Sequence, residues 1–178
     1  MKKFIYIIVI AASLVCAASA FAAWSPREDE YWIKVNKQRL DLTLLKGEEP
    51  VKKWPVSIGR GKGTVKTSRE DLITPTGTFT IYRVDHNAME RIYDPAWFDE
   101  EGEPQKGVYG TKLISFYNKW QIAIHGTNNP RSVGRRATHG CVRLRNRDIE
   151  ELVTYVTPKM KLVITEGDPD RKFYRETI

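Results

Sequence analysis

The most informative segment of the sequence reads His125-Gly126-Thr127-Asn128-Asn129-Pro130 and continues at Thr138-His139-Gly140-Cys141-Val142-Arg143. It contains two of the three histidines together with a cysteine, and arginines are frequent in it until the first acid, Asp148. A thiol with its usual pKa of about 8.5 is only a few per cent ionised at neutral pH, so a nucleophilic cysteine needs a base or a cationic environment. This segment offers both. It therefore predicts a cysteine nucleophile at Cys141.

The spacing within the segment predicts how these groups meet. If residues 139–143 are extended, His139 and Cys141 point to the same side, with their Cα atoms about 6.5 Å apart. His125 ends a predicted strand and shares a face with Ala123. Gly126 and Gly140 allow close backbone approach, and the N–H groups around Gly140 could form an oxyanion hole.

Other interpretations of the same residues stay open at this point. Each histidine could be structural, and the arginines could form a patch for an anionic polymer. Cys141 could also be an inert buried residue or an intermolecular disulfide. Two histidines and a cysteine could ligate zinc, but no further histidine motif supports a metal site, so neither a metal nor a cofactor is expected. The glycines of 59–63 lack the spacing of a nucleotide-binding loop.

The length and composition of the chain are typical of one folded domain. The chain has 178 residues, 41% of them hydrophobic and 29% charged, which is enough apolar content for a core and excludes a disordered chain. Two cysteines cannot build a disulfide scaffold. The net charge of +7 favours an anionic partner.

The first 22 residues have the composition of an export signal. Lys2 and Lys3 precede the apolar run Phe4–Ala18, and Ala20-Phe21-Ala22 has a small-x-small cleavage pattern. The run is shorter than the roughly 20 apolar residues of a spanning helix, although a retained anchor is an alternative. Lipoprotein processing at Cys16 is a weaker alternative because a bulky valine precedes it.

Cleavage would leave Cys141 as the only cysteine, in a protein of the periplasm or cell wall. We therefore expect a signal peptide at 1–22, a catalytic domain at 23–166 and a polar tail at 167–178. An exported protein is not expected to bind nucleic acid, despite its basic charge.

The remaining pattern is that of short strands with one helix. Alternating apolar residues and turn residues predict strands at 31–35, 40–44, 51–58, 78–84, 112–117, 121–125 and 160–165. A helix is predicted at Arg147–Val156, with Asn146 as its N-cap. The irregular stretch 85–110 either shapes a site or covers the core. The sequence thus predicts a mainly β domain, either a sandwich or a partly open barrel.

The paired motif resembles the signature of the L,D-transpeptidase (YkuD-domain) family, in which His-Gly-Thr precedes Ser/Thr-His-Gly-Cys, an apolar residue and Arg or Asn. The turn Thr74-Pro75-Thr76-Gly77-Thr78-Phe79 is also similar to one common in that family, and the likeness extends from about Glu30 to Thr165. The resemblance implies a β-sandwich-like catalytic domain that acts on peptidoglycan stem peptides.

The resemblance also implies roles for individual residues. Cys141 would be the nucleophile and His125 the base, oriented by the backbone carbonyl of Gly126. His139 would lie beside the thiol, and the N–H groups of His139, Gly140 and Cys141 would hold the oxyanion. The residues expected to contact substrate are Arg143, Thr138, Tyr109 and Asn128.

The implied reaction has two steps. The thiolate cleaves the bond before the terminal D-alanine of a stem tetrapeptide and forms a thioester. An amine from another stem peptide or from a wall-attached protein then resolves it. A water-resolved L,D-carboxypeptidase and a non-catalytic wall-binding protein are the alternatives, and a monomer is expected.

Overall fold

The structure, a computed structural model, describes residues 24–167. The predicted signal peptide and all but the first residue of the predicted tail lie outside the described residues. No helix within 24–167 has both the length and the apolar character needed to cross a membrane.

The described chain is mainly β with one short helix, as predicted. Its regular elements, in chain order, are β1 (Tyr31–Asn36), β2 (Asp41–Lys46), β3 (Glu49–Pro55), β4 (Ile58–Gly59), β5 (Gly77–Asp85), β6 (Ile92–Tyr93), β7 (Gln105–Lys106), β8 (Leu113–Phe116), β9 (Ala123–His125), β10 (Arg136–Thr138), β11 (Val142–Arg143), α1 (Asn146–Leu152) and β12 (Lys161–Thr165).

Eight of these strands form one sheet in the order β11-β9-β8-β5-β12-β1-β2-β3. The strand β5 joins the two halves, because its first part pairs with β12 and its second part with β8, with a register shift between Ile81 and Arg83. Such an irregularity bends a strand and increases its twist. The sheet therefore changes course at β5.

The larger of two hydrophobic clusters in the described residues is shared by both halves of the sheet. In the β1–β2 hairpin, Ile33 pairs with Leu44 and Val35 with Leu42, and all four side chains are fully buried. Burial of each such side chain contributes about 1.5 to 3 kcal/mol. The period-two pattern that predicts this hairpin is thus the pattern that fills the core.

The third predicted strand is interrupted. It begins at Glu49 and ends at Pro55, and Ile58–Gly59 pairs separately with β10 as β4. Proline has no N–H to donate to a ladder, so Pro55 fits the end of the strand. The prediction of one continuous strand over 51–58 is wrong in this respect.

The helix is shorter than predicted and begins one residue earlier. It spans Asn146–Leu152, its N-cap is Arg145 and no side chain caps it. Beyond Leu152 the hydroxyl of Thr154 donates to the carbonyl of Glu151 at 2.8 Å, which competes with continued helix. The prediction that Asn146 is the N-cap is therefore wrong, and its side chain is used elsewhere.

The stretch 85–110 is built from short elements. It contains turns of 3₁₀ helix at Ala88–Glu90 and Pro95–Phe98, and a two-residue ribbon in which β6 pairs with β7. Asp94 caps the second turn by accepting from the N–H of Ala96 at 3.0 Å. We call residues 85–110 the cleft segment, because it forms one wall of the cleft described next.

Candidate active site

A cleft of about 530 Å³ opens beside the residues that precede β11. Cys141, His139 and Tyr109 line it, together with Lys66 and Trp120. Cys141 is half-buried and is the free cysteine of the described residues. The double motif and the cleft segment therefore meet at one place, around the thiol.

Parallel pairing of β11 with β9 brings the two halves of the motif together. Val142 lies opposite Ile124, and Arg143 lies opposite His125. Cys141 precedes this pairing, and its thiol hydrogen-bonds with the backbone of Ala123. Because side chains alternate along a strand, Ala123 and His125 share a face of β9.

His125 is buried, with 2% of its surface exposed. Its Nδ1 lies 2.6 Å from the carbonyl oxygen of Gly126. A carbonyl can only accept, so Nδ1 carries the proton and Nε2 holds the lone pair. Burial lowers the pKa of His125 to about 3, and the positive charge of Arg143 acts in the same direction. The imidazole is therefore neutral at pH 7.

The thiol of Cys141 is also neutral at rest. Burial raises its pKa above the ordinary value, while the Ala123 hydrogen bond and the charges of Arg143 and Lys66 lower it. Thiolate formation thus costs less than burial alone would dictate.

Arg143 is the cation that acts on both groups. Its backbone N–H and C=O each pair with Ser57 at 2.8 Å, and its Nη1 donates to Ser132 Oγ at 2.9 Å. Its Nε is buried and has no hydrogen-bond partner among residues 24–167. Two other arginines of the segment, Arg145 and Arg147, pair with Asp148 instead, so the positive charge is less concentrated at the thiol than the sequence implies.

His139 does not share an extended strand with Cys141, because Gly140 has φ of +128° and β11 covers only Val142–Arg143. Its ring stacks on Phe98 with the centroids 4.1 Å apart. Oε1 of Glu100 lies 2.8 Å from Nε2 of His139. Residues 139–143 are therefore not one extended strand, and His139, which lines the cleft together with Cys141, joins the loop before β11 to the cleft segment.

One predicted oxyanion donor is already engaged. The N–H of Gly140 donates to Thr138 Oγ1 at 3.1 Å, and that hydroxyl donates to the carbonyl of Cys141 at 2.7 Å. The carbonyl of Gly140 accepts from Thr74 Oγ1 at 2.7 Å. In a trans peptide the N–H points away from the carbonyl, so this bond aims the N–H of Cys141 away from Thr74. The N–H groups of Cys141 and His139 remain as candidate donors.

The residues expected to contact substrate occupy different places. Tyr109 lines the cleft and meets His125 edge-on, with the ring centroids 5.1 Å apart. Burial raises the pKa of Tyr109, so its hydroxyl stays protonated. Thr138 is buried and supports the loop, whereas Asn128 is exposed and is not among the residues that line the cleft.

Three residues of the site escape the sequence pattern. Thr74 is fully buried and joins Gly59 to Gly140. Lys66 is 4% exposed and donates to Asp71 at 2.8 Å. Asn146 accepts from the N–H of Thr127 at 2.8 Å. Of these three residues, only Thr74 lies in a segment that the sequence singles out, the turn at 74–79. A threonine in a turn can hydrogen-bond to the backbone through its hydroxyl.

A metal site is not formed by the described residues, in which no group of three or more His, Cys, Asp or Glu side chains could hold an ion. The chemistry open to the cleft is that of a thiol, a neutral imidazole and nearby cations.

The protein is a small mainly β domain in which two parallel strands lie side by side, with a histidine at the end of one and a cysteine just before the other. The chain belongs to the L,D-transpeptidase catalytic domain family, YkuD, whose sequence model matches residues 30–164. The family resemblance and the fold class inferred from the sequence are thereby confirmed.

Individual relatives carry the same family name. YkuD of Bacillus licheniformis, assigned to the L,D-transpeptidases, is 30% identical over 79% of this chain and 69% of its own. YkuD of Bacillus subtilis is 30% identical over 75% of this chain and 65% of its own. This chain thus spans about two thirds of the length of these relatives.

A solved structure shares the fold. L,D-transpeptidase 3 of Mycobacterium tuberculosis, in complex with a faropenem-derived adduct, superposes with a TM-score of 0.58 at 15% identity, covering 76% of this chain and 60% of that one. At this identity the likeness concerns the fold alone.

Proposed function

We propose that this protein is a peptidoglycan L,D-transpeptidase in which Cys141 is the nucleophile and His125 the general base. One observation carries the proposal: β9 and β11 lie side by side, with the thiol beside Ala123 and His125 two residues further along the same face. The hydrogen bond from Nδ1 of His125 to Gly126 leaves Nε2 as the proton acceptor. The family to which the chain belongs supports the reaction class.

In the first step, the thiol proton moves to Nε2 of His125 and the sulfur attacks the carbonyl carbon before the terminal D-alanine. The carbon–nitrogen bond then breaks, and the imidazolium returns the proton to the departing amine of D-alanine. The product is a thioester between the stem peptide and Cys141.

Nearby groups stabilise the charges that develop in this step. The charge of Arg143 favours the thiolate, as does that of the buried Lys66. The N–H of Cys141, aimed by Thr74, is a donor for the tetrahedral oxyanion. The carbonyl of Gly126 takes the orienting role that an acid has in a triad.

In the second step, an acceptor amine attacks the thioester carbonyl and the thiolate leaves, which forms an amide bond. Neutral His125 accepts a proton from the attacking amine and returns it to the sulfur. The acceptor is the amine of another stem peptide or of a wall-attached protein. If water takes this place, the enzyme is an L,D-carboxypeptidase.

The cleft is suited to an acidic donor peptide. Lys66, Arg69 and Arg91 line it, and the Nε of Arg143 is buried without a hydrogen-bond partner among the described residues. Cations of this kind bind carboxylates, and guanidinium groups do so with two donors at once. The proposal includes export through residues 1–22 and action as a monomer in the periplasm or wall.

The test is to incubate the purified protein with tetrapeptide muropeptides and follow the products by mass. Release of D-alanine with a new cross-link is the expected result, and release with only a tripeptide identifies the carboxypeptidase. Full turnover by both Cys141→Ala and His125→Ala would refute the roles assigned here.

A second experiment separates catalysis from binding. Because a solved neighbour is known with a faropenem-derived adduct, intact-mass measurement after faropenem exposure is expected to detect an adduct that Cys141→Ala lacks. Sedimentation with purified wall without any adduct would identify a non-catalytic wall-binding protein. Non-reducing electrophoresis would detect an intermolecular disulfide through Cys141.

A further inference from the structure

The peptide unit between Gly126 and Thr127 is held at both of its polar ends. Its carbonyl accepts from Nδ1 of His125 at 2.6 Å, and its N–H donates to Oδ1 of Asn146 at 2.8 Å. The carbonyl and N–H of a trans peptide lie in one plane and point in opposite directions. Whatever fixes the N–H therefore also fixes the direction of the carbonyl that orients His125.

The amide oxygen of Asn146 occupies a site shaped for it. It also accepts from the N–H of Thr111 at 3.3 Å. Two glycines border it: a Cβ at Gly110 would lie 2.1 Å from this oxygen, and a Cβ at Gly126 would lie 2.3 Å from it. Any side chain at either glycine would collide with the oxygen, so both positions leave room for Asn146.

Asn146 belongs to the segment that carries the thiol. It follows β11 and starts α1, yet Arg145 is the N-cap and the Asn146 side chain is turned toward the β9 loop. In the same segment, the N–H of Leu144 donates to the carbonyl of His125 at 2.8 Å. The segment that follows Cys141 therefore holds the backbone of His125 through Leu144. It also holds the ring of His125 through Asn146 and the Gly126–Thr127 peptide.

We propose that Asn146 is a positioning residue that keeps His125 in its Nδ1–H tautomer by holding the Gly126–Thr127 peptide. This inference rests on the proposed function, in which Nε2 of His125 must accept the thiol proton. Hydrogen bonds in series polarise one another, so the bond to Asn146 also strengthens the carbonyl as an acceptor. The orienting role of the third member of a triad is thus divided between a peptide and an amide side chain.

The test measures the rate of faropenem acylation against pH for three variants. Asn146→Ala removes the acceptor, and we expect a rate about 10-fold to 100-fold lower, as for a catalytic group that loses its orientation. Asn146→Asp keeps an acceptor oxygen and is expected to recover most of that rate. Its added negative charge favours the imidazolium, which raises the pKa of His125 and moves the acid limb of the profile to higher pH.

Asn36→Ala is the matched control. The amide oxygen of Asn36 likewise accepts two backbone N–H groups, from Gln38 at 3.1 Å and Arg39 at 3.0 Å, but in the β1–β2 turn. This variant is expected to lose stability and to keep the wild-type acylation rate at equal folded fraction. A similar rate loss in both alanine variants would assign the effect to stability and overturn the proposal.

The tautomer itself is read by ¹⁵N NMR of the His125 ring, independently of turnover. The wild type is expected to have the proton on Nδ1, and Asn146→Ala to have a mixture of tautomers. An Nε2–H tautomer in the wild type overturns the proposal, as does an unchanged tautomer and rate in Asn146→Ala. If Asn146→Ala does not fold, the His125 tautomer in the spectra of the wild type and of Asn146→Asp still tests the proposal. Failure of the proposed function has a different signature, namely a wild type that faropenem does not acylate.

Discussion

The hydroxyl of Thr74 connects two loops of the site, and its removal has a calculable cost. Thr74 is fully buried, accepts from the N–H of Gly59 at 2.8 Å and donates to the carbonyl of Gly140 at 2.7 Å. Thr74→Val keeps the shape and removes both bonds. Each buried group left unsatisfied costs about 1 to 3 kcal/mol, so we expect the free energy of unfolding to fall by about 2 to 6 kcal/mol. The total free energy of unfolding of a domain is only about 5 to 15 kcal/mol.

The same substitution tests the aim of the Cys141 N–H. Without the bond from Thr74, the Gly140–Cys141 peptide is free to rotate, and its N–H no longer has a fixed direction. Complete loss of an oxyanion donor slows catalysis about 100-fold to 1000-fold, and a misdirected one is expected to lose at least tenfold. Thr74→Ser keeps both bonds and loses one methyl group, so it should cost about 1 kcal/mol and leave the acylation rate near wild type.

Urea unfolding followed by tryptophan fluorescence gives the stability of the three proteins. The acylation rate is then measured without urea, at a temperature at which each variant is fully folded. If Thr74→Val lies within about 0.5 kcal/mol of the wild type, which is the range of an ordinary surface substitution, the two bonds do not carry the energy assigned to them. A stable variant with unchanged acylation would refute the reasoning altogether.

Three further outcomes are expected. Arg143→Gln removes a cation that lowers the pKa of Cys141, so iodoacetamide alkylation should need higher pH, and an unshifted profile would contradict the electrostatics. Gly126→Ala places a Cβ 2.3 Å from Asn146 Oδ1 and should abolish acylation while circular dichroism detects a folded β protein. Burial raises the pKa of Asp71, but hydrogen bonds, chiefly from Lys66, outweigh it and lower this pKa overall. The ionised Asp71 therefore stabilises the folded state fully above about pH 4, and this stabilisation is lost as the pH falls further. Asp71→Asn should therefore lower the melting temperature at pH 7, and an equal loss at pH 2 would refute this.

Local pattern predicts a large part of this fold. The alternation of Ile33 and Val35 with Trp32 and Lys34 predicts which face of β1 is buried, because side chains alternate along any strand. The parallel pairing of β9 with β11, by contrast, joins two segments that no local pattern relates to each other. The inferences that succeed are those that depend on periodicity within one strand.

What fails is the choice of partner for versatile polar groups. An asparagine before a helical stripe is good N-cap chemistry, but Asn146 has a second set of donors available in the N–H groups of Thr127 and Thr111, which are remote in sequence. The same holds for His139, whose carboxylate partner Glu100 lies in the cleft segment. Nothing local distinguishes these alternatives, because the decision is made by tertiary proximity.

The position of β12 has a consequence for how the molecule assembles. It lies between β5 and β1, pairs in parallel with β1, and is the last described strand along the chain. When the polypeptide emerges with its amino end first, the β1–β3 portion and the cysteine-bearing portion are therefore available for folding before β12, the strand that pairs with both β1 and β5. Such long-range pairing is slow, and the interim edges of β1 and β5 are open to other chains. Completion of the sheet thus depends on a strand that follows the other seven along the described chain, so a nascent or truncated chain that ends before Lys161 would be the species most in need of protection from aggregation.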